Sequence, residues 1–199
     1  MSLFIVIAGY LAAGIIFEGS GLVLSKACVL ASMIALIGYR LKSTGLGWKA
    51  AGWGPADPLR ELAWAGGCAL AVWALAFFFL HADSNQAGVS RWSAVLDRPD
   101  GKLVFFVSGC LITGVLEELV YRGALRAYIR RDAAFVAASA LLFSAFHFLS
   151  TPWDYVVYAA IGAVFAGTLV ASRSLRAVML AHVLVNTAHL FGLGNWVRY

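Results

Sequence analysis

The chain alternates between long apolar stretches and short polar connections. A helix needs roughly 20 mostly apolar residues to cross the hydrocarbon core of a bilayer. The pattern therefore predicts an all-α fold, a polytopic membrane helix bundle of about seven transmembrane helices, and the spacing is compatible with six to eight. The seven apolar segments lie at roughly 2–17, 21–39, 60–81, 103–129, 133–150, 154–172 and 175–193.

Composition agrees with a chain that lies in a membrane. Hydrophobic residues make up 62% of the sequence and charged residues 13%, and the mean hydropathy is +0.83. Soluble domains are roughly 45–50% apolar and about 25% charged. We therefore predict a single integral membrane domain over residues 1–199, with no separate soluble domain. The N-terminal run MSLFIVIAGYLAAGIIF has no basic region before it and no clear cleavage site, so we expect a first span rather than a signal peptide.

The charges in the connections predict the orientation of the helices. Loops 40–60, 122–132 and 173–176 carry an excess of arginine and lysine, whereas 82–102 is balanced and 150–154 has only an acid. This alternation follows the positive-inside rule. It predicts a multi-pass protein of the cytoplasmic (inner) membrane of the cell, with the basic loops and the N-terminus on the cytoplasmic side. The net charge of +5 then reflects orientation in the lipid bilayer, and no nucleic-acid partner is expected.

Small residues recur in the sixth apolar segment. Ala159, Ala163 and Gly167 follow one another at four-residue spacing. Such spacing lets membrane helices approach each other closely. We expect this helix to be central and tightly packed along that stripe.

Polar side chains deep inside the apolar segments are few. A charge at the centre of a membrane helix costs about 2.5–3.5 kcal/mol on insertion scales, so each such residue is expected to have a structural or functional role. At a rise of about 1.5 Å per residue, Glu117 and His147 each lie about 21 Å along their helices and are expected to meet His182 inside the bilayer. The full set is Glu117, Glu118, Arg122, His147, His182, Asn186 and His189.

The hexamer EELVYR places two carboxylates and an arginine at one end of an apolar stretch. Glu118 and Arg122 are four residues apart, so they share a helix face and can form an ion pair. Glu117 is rotated by about 100° from Glu118 and must point elsewhere. We therefore expect Glu117 to face a cavity.

The other two helices contribute imidazoles and a carboxamide at the same helical spacing. Phe143 and His147 are four residues apart, and so are His182 and Asn186. Taken singly, the charges could form a structural ion pair, the histidines could be packing residues, and Asn186 could make an interhelical hydrogen bond. Together with a carboxylate, these groups can activate water and hold an oxyanion.

Three motifs in this order resemble those of a known family. EELVYR resembles EExxxR, FSAFH resembles FxxxH and HVLVN resembles HxxxN, the motifs of the CPBP family of type II CAAX-prenyl endopeptidases and bacteriocin-processing or abortive-infection membrane proteins. The motifs span 117–186, and the comparable catalytic core is roughly 60–193. The resemblance implies a glutamate-dependent intramembrane endopeptidase that acts on a membrane-associated peptide or protein.

The resemblance also implies a role for each matching residue. Glu117 would be the general base, His147 would bind and orient the water, and His182 with Asn186 would donate hydrogen bonds to the oxyanion. His189 belongs to no motif and receives no role. The resemblance also implies that Glu118 and Arg122 hold the site together, with a direct role of Glu118 in the reaction as the alternative. Phe143, the first residue of FSAFH, would have a supporting role.

Several alternatives remain at this point. Two histidines and a glutamate could bind zinc, but the HExxH signature of many zinc proteases is absent, and the resemblance favours a metal-free enzyme without a cofactor. A non-catalytic scaffold or immunity protein would share the fold. A small transporter is a third class, although no internal repeat is visible. The compact chain offers little polar surface for a soluble substrate, which argues against prenylated CAAX proteins as substrates.

Overall fold

The computed structural model of the chain describes residues 20–54, 57–79, 96–147, 149 and 151–191. No strand occurs in these residues, which confirms the predicted all-α helix bundle. The first predicted span, 2–17, and most of the loop 82–102 lie outside the described residues. The helices bounded within them are α1 (Ser20–Ser43), α2 (Pro58–Phe79), α3 (Gly101–Tyr128), α4 (Asp132–Ala145), α5 (Pro152–Ser172) and α6 (Leu175–Leu190), with a 3-10 turn at Trp48–Ala51.

The helices differ in whether they are long enough to cross a membrane. In the part of the chain that the structure describes, α2, α3 and α5 are both long and apolar enough to do so, with 22, 28 and 21 residues. The apolar helices α4 and α6 have 14 and 16 residues. At about 1.5 Å per residue they rise only about 21 and 24 Å, less than the roughly 30 Å of a hydrocarbon core.

The fifth predicted segment, 133–150, is helical only in its first part. The helix α4 ends at Ala145, and His147 lies in the turn that follows. The next helix begins with Thr151, which caps it by accepting a hydrogen bond from the Asp154 amide, and Pro152, which occupies the first turn. Because a residue before proline is disfavoured in helical conformation, the chain must leave α4 before Thr151. The expectation that His147 is a helical residue was therefore wrong.

The three basic connections lie at the same end of the bundle. The Arg40 guanidinium donates from Nε to the Tyr128 hydroxyl over 2.9 Å, which joins the end of α1 to the end of α3. The Leu175 amide donates to the Gly52 carbonyl over 2.9 Å, which joins the start of α6 to the segment after the 3-10 turn. This placement agrees with the alternation of charge along the sequence. Which side of the membrane this end faces stays a prediction.

At the opposite end of the bundle the start of α5 contacts the end of α2. The indole of Trp153, at the start of α5, donates to the Phe79 carbonyl at the end of α2 over 2.9 Å. Asp154 is buried one residue further on. The helices α2 and α5 therefore run between the same two ends, as the sequence predicted.

The helices α4 and α5 approach each other closely at Gly162. A Cβ atom added there would lie 3.0 Å from Ala140 Cα and 3.0 Å from Phe143 Cβ. By contrast, a Cβ added at Gly167 would meet no atom within 4 Å. The prediction of a tightly packed helix is right, but the predicted stripe that ends at Gly167 is not the contact face. The buried side of α5 instead includes Gly162 and Ala166.

The helix α3 is not uniformly α-helical. It winds as π-helix at Phe105–Thr113 and Leu119–Ala124, and the α-helical stretch Gly114–Glu118 lies between them. Wider π turns occur frequently at functional sites. Both glutamates of EELVYR belong to the α-helical stretch, so their predicted offset of about 100° holds.

Candidate active site

Glu118 and Arg122 form a fully buried ion pair inside the bundle. Arg122 Nη1 donates to Glu118 Oε1 over 2.9 Å, and neither side chain is exposed. Arg122 Nη2 donates to the Gly162 carbonyl of α5 over 3.2 Å. A buried charge is tolerable when it is paired and hydrogen-bonded, and these contacts meet that condition for the two terminal nitrogens of the guanidinium, Nη1 and Nη2. Arg122 therefore joins α3 to α5.

Aromatic rings surround the same guanidinium. The Arg122 Cζ atom lies 4.6 Å from the centroid of the Phe143 ring and 5.1 Å from that of Phe165. A cation over an aromatic face is attracted by the quadrupole of the ring, more strongly where water is excluded. Phe143, the first residue of FSAFH, thus packs against the buried ion pair.

Glu118 also fixes a histidine of α6. His182 Nδ1 lies 2.7 Å from Glu118 Oε1, the oxygen that Arg122 contacts. Because an ionised carboxylate can only accept, the hydrogen of this bond belongs to Nδ1. The other nitrogen of the ring, Nε2, consequently points away from Glu118.

Glu117 faces a different direction and lies between two imidazoles. Its Oε2 atom is 3.9 Å from Nε2 of His147 and 3.9 Å from Nε2 of His182. A direct hydrogen bond would require about 2.7–3.2 Å. The side chain of Glu117 is only 12% exposed. Three parts of the fold therefore converge on one carboxylate: α3, the turn after α4, and α6.

His147 is oriented by its own segment and by α5. Its Nδ1 lies 2.5 Å from the Phe143 carbonyl, which can only accept, so Nδ1 carries the hydrogen and Nε2 faces Glu117. The imidazole centroid is 4.3 Å from that of Phe143 and 4.7 Å from that of Tyr158. Tyr158 belongs to none of the three motifs. Its place beside His147 follows only from the packing of α5 against α4, and the sequence carries no signal for it.

Asn186 lies one helical turn beyond His182. Its Nδ2 donates to the Gly109 carbonyl in the first π-helical stretch of α3 over 3.3 Å. This bond is of the kind expected for an asparagine that joins two membrane helices. A role in holding an oxyanion stays a prediction. His189, at the end of α6, is partly buried, and no role is assigned to it.

The carboxylate and the two imidazoles do not fit a zinc ion as they stand. Two ligands that share a tetrahedral zinc at about 2.0–2.1 Å lie roughly 3.3 Å apart. Both distances from Glu117 Oε2 to an Nε2 atom are longer, at 3.9 Å. Among the residues that the structure describes, no group of three or more His, Cys, Asp or Glu side chains is arranged to hold a metal ion.

Comparison with known proteins finds a family to which part of the chain is similar. Residues 99–188 match the family model described as type II CAAX prenyl endopeptidase Rce1-like. No curated protein and no solved structure matches the chain. The matched range contains the three motifs and every predicted site residue, and it confirms the resemblance that the motifs carried. Over this segment the chain is similar to the Rce1-like family of type II CAAX prenyl endopeptidases.

Proposed function

We propose that the chain is an intramembrane endopeptidase in which Glu117 activates water to hydrolyse a peptide bond of a membrane-associated peptide or protein. The family supports a peptidase. The observation that carries the mechanism is the approach of both Nε2 atoms, of His147 and His182, to Glu117 Oε2 at 3.9 Å.

This spacing suits a bridging water. A water molecule about 2.8 Å from Glu117 Oε2 can also lie about 2.8 Å from either imidazole Nε2, because 3.9 Å separates the two partners. Neutral His147 carries its hydrogen on Nδ1, so its Nε2 accepts a hydrogen bond from the water. Glu117 accepts the other hydrogen. With both hydrogens engaged, a lone pair of the water oxygen is left for the substrate.

Hydrolysis then follows with Glu117 as base and later as acid. The water oxygen bonds to the carbonyl carbon, its proton moves to Glu117, and the π electrons of the carbonyl move onto its oxygen. Glu117 next gives the proton to the amide nitrogen as the oxyanion re-forms the C=O double bond and the C–N bond breaks, with its electron pair leaving on nitrogen. The products are a carboxylic acid and an amine. General acid–base catalysis of this kind contributes about 10²–10⁴ in rate.

The oxyanion requires donors, and α6 carries two candidates. His182 is held through Nδ1 by Glu118, and in its doubly protonated form its Nε2–H donates. The Asn186 amide uses one hydrogen on the Gly109 carbonyl and has a second one to donate. Preorganised donors of this kind stabilise the charge that develops in the transition state.

Three residues position the reacting groups. Glu118 orients His182, Arg122 neutralises Glu118, and Phe143 packs against both the guanidinium and the His147 ring. No metal or other cofactor enters this mechanism. We also propose that the site opens toward the basic end of the bundle, so that water can reach Glu117.

Glu117→Gln is the substitution that tests the proposal. It keeps the shape of the side chain and removes its basicity, so cleavage should fall by about 10²–10⁴ while folding is retained. New peptide termini are identified in membranes of cells that produce the wild-type or the variant chain, and a cleaved sequence is then assayed with the purified protein in vesicles. Glu61→Gln, which changes a glutamate at the basic end of the bundle, is the matched control.

Two outcomes would contradict the proposal. Cleavage by Glu117→Gln at the wild-type rate would remove Glu117 as the base and favour a scaffold. In the same assay EDTA and phenanthroline should leave the rate unchanged. Loss of cleavage with a chelator, restored by added zinc, would instead support the zinc-dependent alternative.

A further inference from the structure

His147 lies outside any helix, although its orientation decides the proposed water site. The last residue of α4 is Ala145, and the His147 amide donates to the Ser144 carbonyl over 3.1 Å rather than to the carbonyl four residues back. The bond from Nδ1 to the Phe143 carbonyl holds one ring atom. A ring held at one atom can still tilt about that atom and move Nε2 away from Glu117.

Two aromatic rings limit that tilt. The centroids of Phe143 and Tyr158 lie 4.3 and 4.7 Å from the centroid of His147, and they lie 6.2 Å from each other. These three distances place the two rings about 90° apart as seen from His147. The imidazole therefore packs into a corner with Phe143 on one side and Tyr158 on the adjoining side.

Only one side of this corner is independent of the segment that carries His147. Phe143 belongs to α4 and moves with the turn that follows it. Tyr158 belongs to α5, and one turn further along α5 the Gly162 carbonyl accepts a hydrogen bond from Arg122 of α3. The helix α3 also carries Glu117. Through α5 and Arg122, Tyr158 therefore connects His147 to the helix that carries the Glu117 carboxylate.

We propose that Tyr158 is a positioning residue whose ring holds the His147 imidazole with Nε2 directed at Glu117. The proposal rests on the proposed function. It assigns the effect to the aromatic ring. Tyr158→Phe should therefore keep the cleavage activity, whereas an aliphatic side chain at this position should not. Misplacement of a reacting group by about 1 Å can lower a rate by about 10²-fold.

The test compares Tyr158→Phe, Tyr158→Leu and Trp153→Leu in the full chain reconstituted in vesicles, with a peptide that the wild-type protein cleaves. Tyr158→Leu should lower kcat by about 10- to 100-fold and leave KM within about twofold, since positioning acts on the reaction rather than on substrate binding. Tyr158→Phe should retain at least about half of wild-type kcat. Trp153→Leu removes another ring of α5, one that is nearly half exposed, and should also retain activity.

Several results would overturn this inference. A wild-type kcat in Tyr158→Leu would show that the ring is not needed, and an equal loss in Tyr158→Phe would assign the effect to the hydroxyl. If Tyr158→Leu does not fold, Tyr158→Met, which is unbranched and lacks a ring, is measured in its place. Failure of the proposed function is recognised separately, either by a Glu117→Gln variant that remains active or by loss of cleavage with a chelator that added zinc restores.

Discussion

Two glutamates hold the helix α6 at two different depths. Glu118 contacts His182 in the middle of α6 and pairs with Arg122, and the ion pair has no exposed surface. Glu61, at the basic end of the bundle, accepts from the Ser174 hydroxyl at the start of α6 and, over 3.0 Å, from Arg176 Nε. There the Glu61 side chain is 17% exposed and that of Arg176 is 38% exposed.

The two sites contain similar groups, but the loss of one partner has a different energetic cost at each site. Removing one partner of a buried ion pair leaves the other charge without compensation in apolar surroundings, at a cost of about 3–5 kcal/mol. Near the surface, water and salt replace the missing partner, and such pairs contribute about 0–1 kcal/mol. The buried pair thus connects the stability of the fold to the proposed site, whereas the outer pair only fixes the end of a helix.

The largest expected effect comes from Arg122→Ala. The substitution leaves Glu118 buried without its cation and removes the bond to the Gly162 carbonyl, so the free energy of unfolding should fall by about 3–5 kcal/mol. Cleavage should be lost as well. Unfolding is followed in detergent micelles by denaturant titration. A decrease below about 1 kcal/mol would mean that the pair behaves like a surface pair.

A double substitution, Glu118→Leu with Arg122→Leu, separates stability from activity. Apolar side chains in place of a buried ion pair often restore or raise stability. The double variant should therefore be more stable than Arg122→Ala and still be inactive, because His182 has lost the acceptor that orients it. A double variant that cleaves substrate would remove the positioning role of Glu118.

An intermediate effect is expected at the contact between α4 and α5. In Gly162→Ala the new Cβ lies 3.0 Å from Ala140 Cα and Phe143 Cβ, so the helices must separate slightly. Overpacking of this kind costs about 1–3 kcal/mol, and displacement of Phe143 should lower cleavage. Gly167→Ala is the matched control, since its Cβ meets no atom within 4 Å. Equal melting temperatures for the two variants would contradict the close contact at Gly162.

The smallest effect is expected for Glu61→Gln. Arg176 also donates to the Gly54 carbonyl over 2.8 Å, so it keeps a partner when the charge of Glu61 is removed. The free energy of unfolding should change by about 1 kcal/mol or less, and cleavage should stay close to that of the wild type. The difference should shrink at high salt, which screens exposed charges. A loss comparable to that of Arg122→Ala would abolish the contrast between the two glutamates.

Features that depend on local spacing were predictable from the sequence. The apolar segments predicted the all-α bundle, and the spacing of four residues predicted the pair of Glu118 with Arg122. The direction of Glu117 away from Glu118 also followed from helical rotation, because both residues lie in an α-helical stretch. These properties involve neighbours along one helix, so the order of residues is sufficient to infer them.

Other features required the packing of several helices. The sequence alone could not reveal the end of α4 at Ala145, the contact at Gly162 or the ring of Tyr158 beside His147. It predicted that both histidines meet Glu117, but which ring nitrogen faces Glu117 depends on acceptors elsewhere: Glu118 for His182 and the Phe143 carbonyl for His147. Helical periodicity determined which side chains share a face. Tertiary structure decided how those faces meet, because contacts between helices depend on groups distant in the chain.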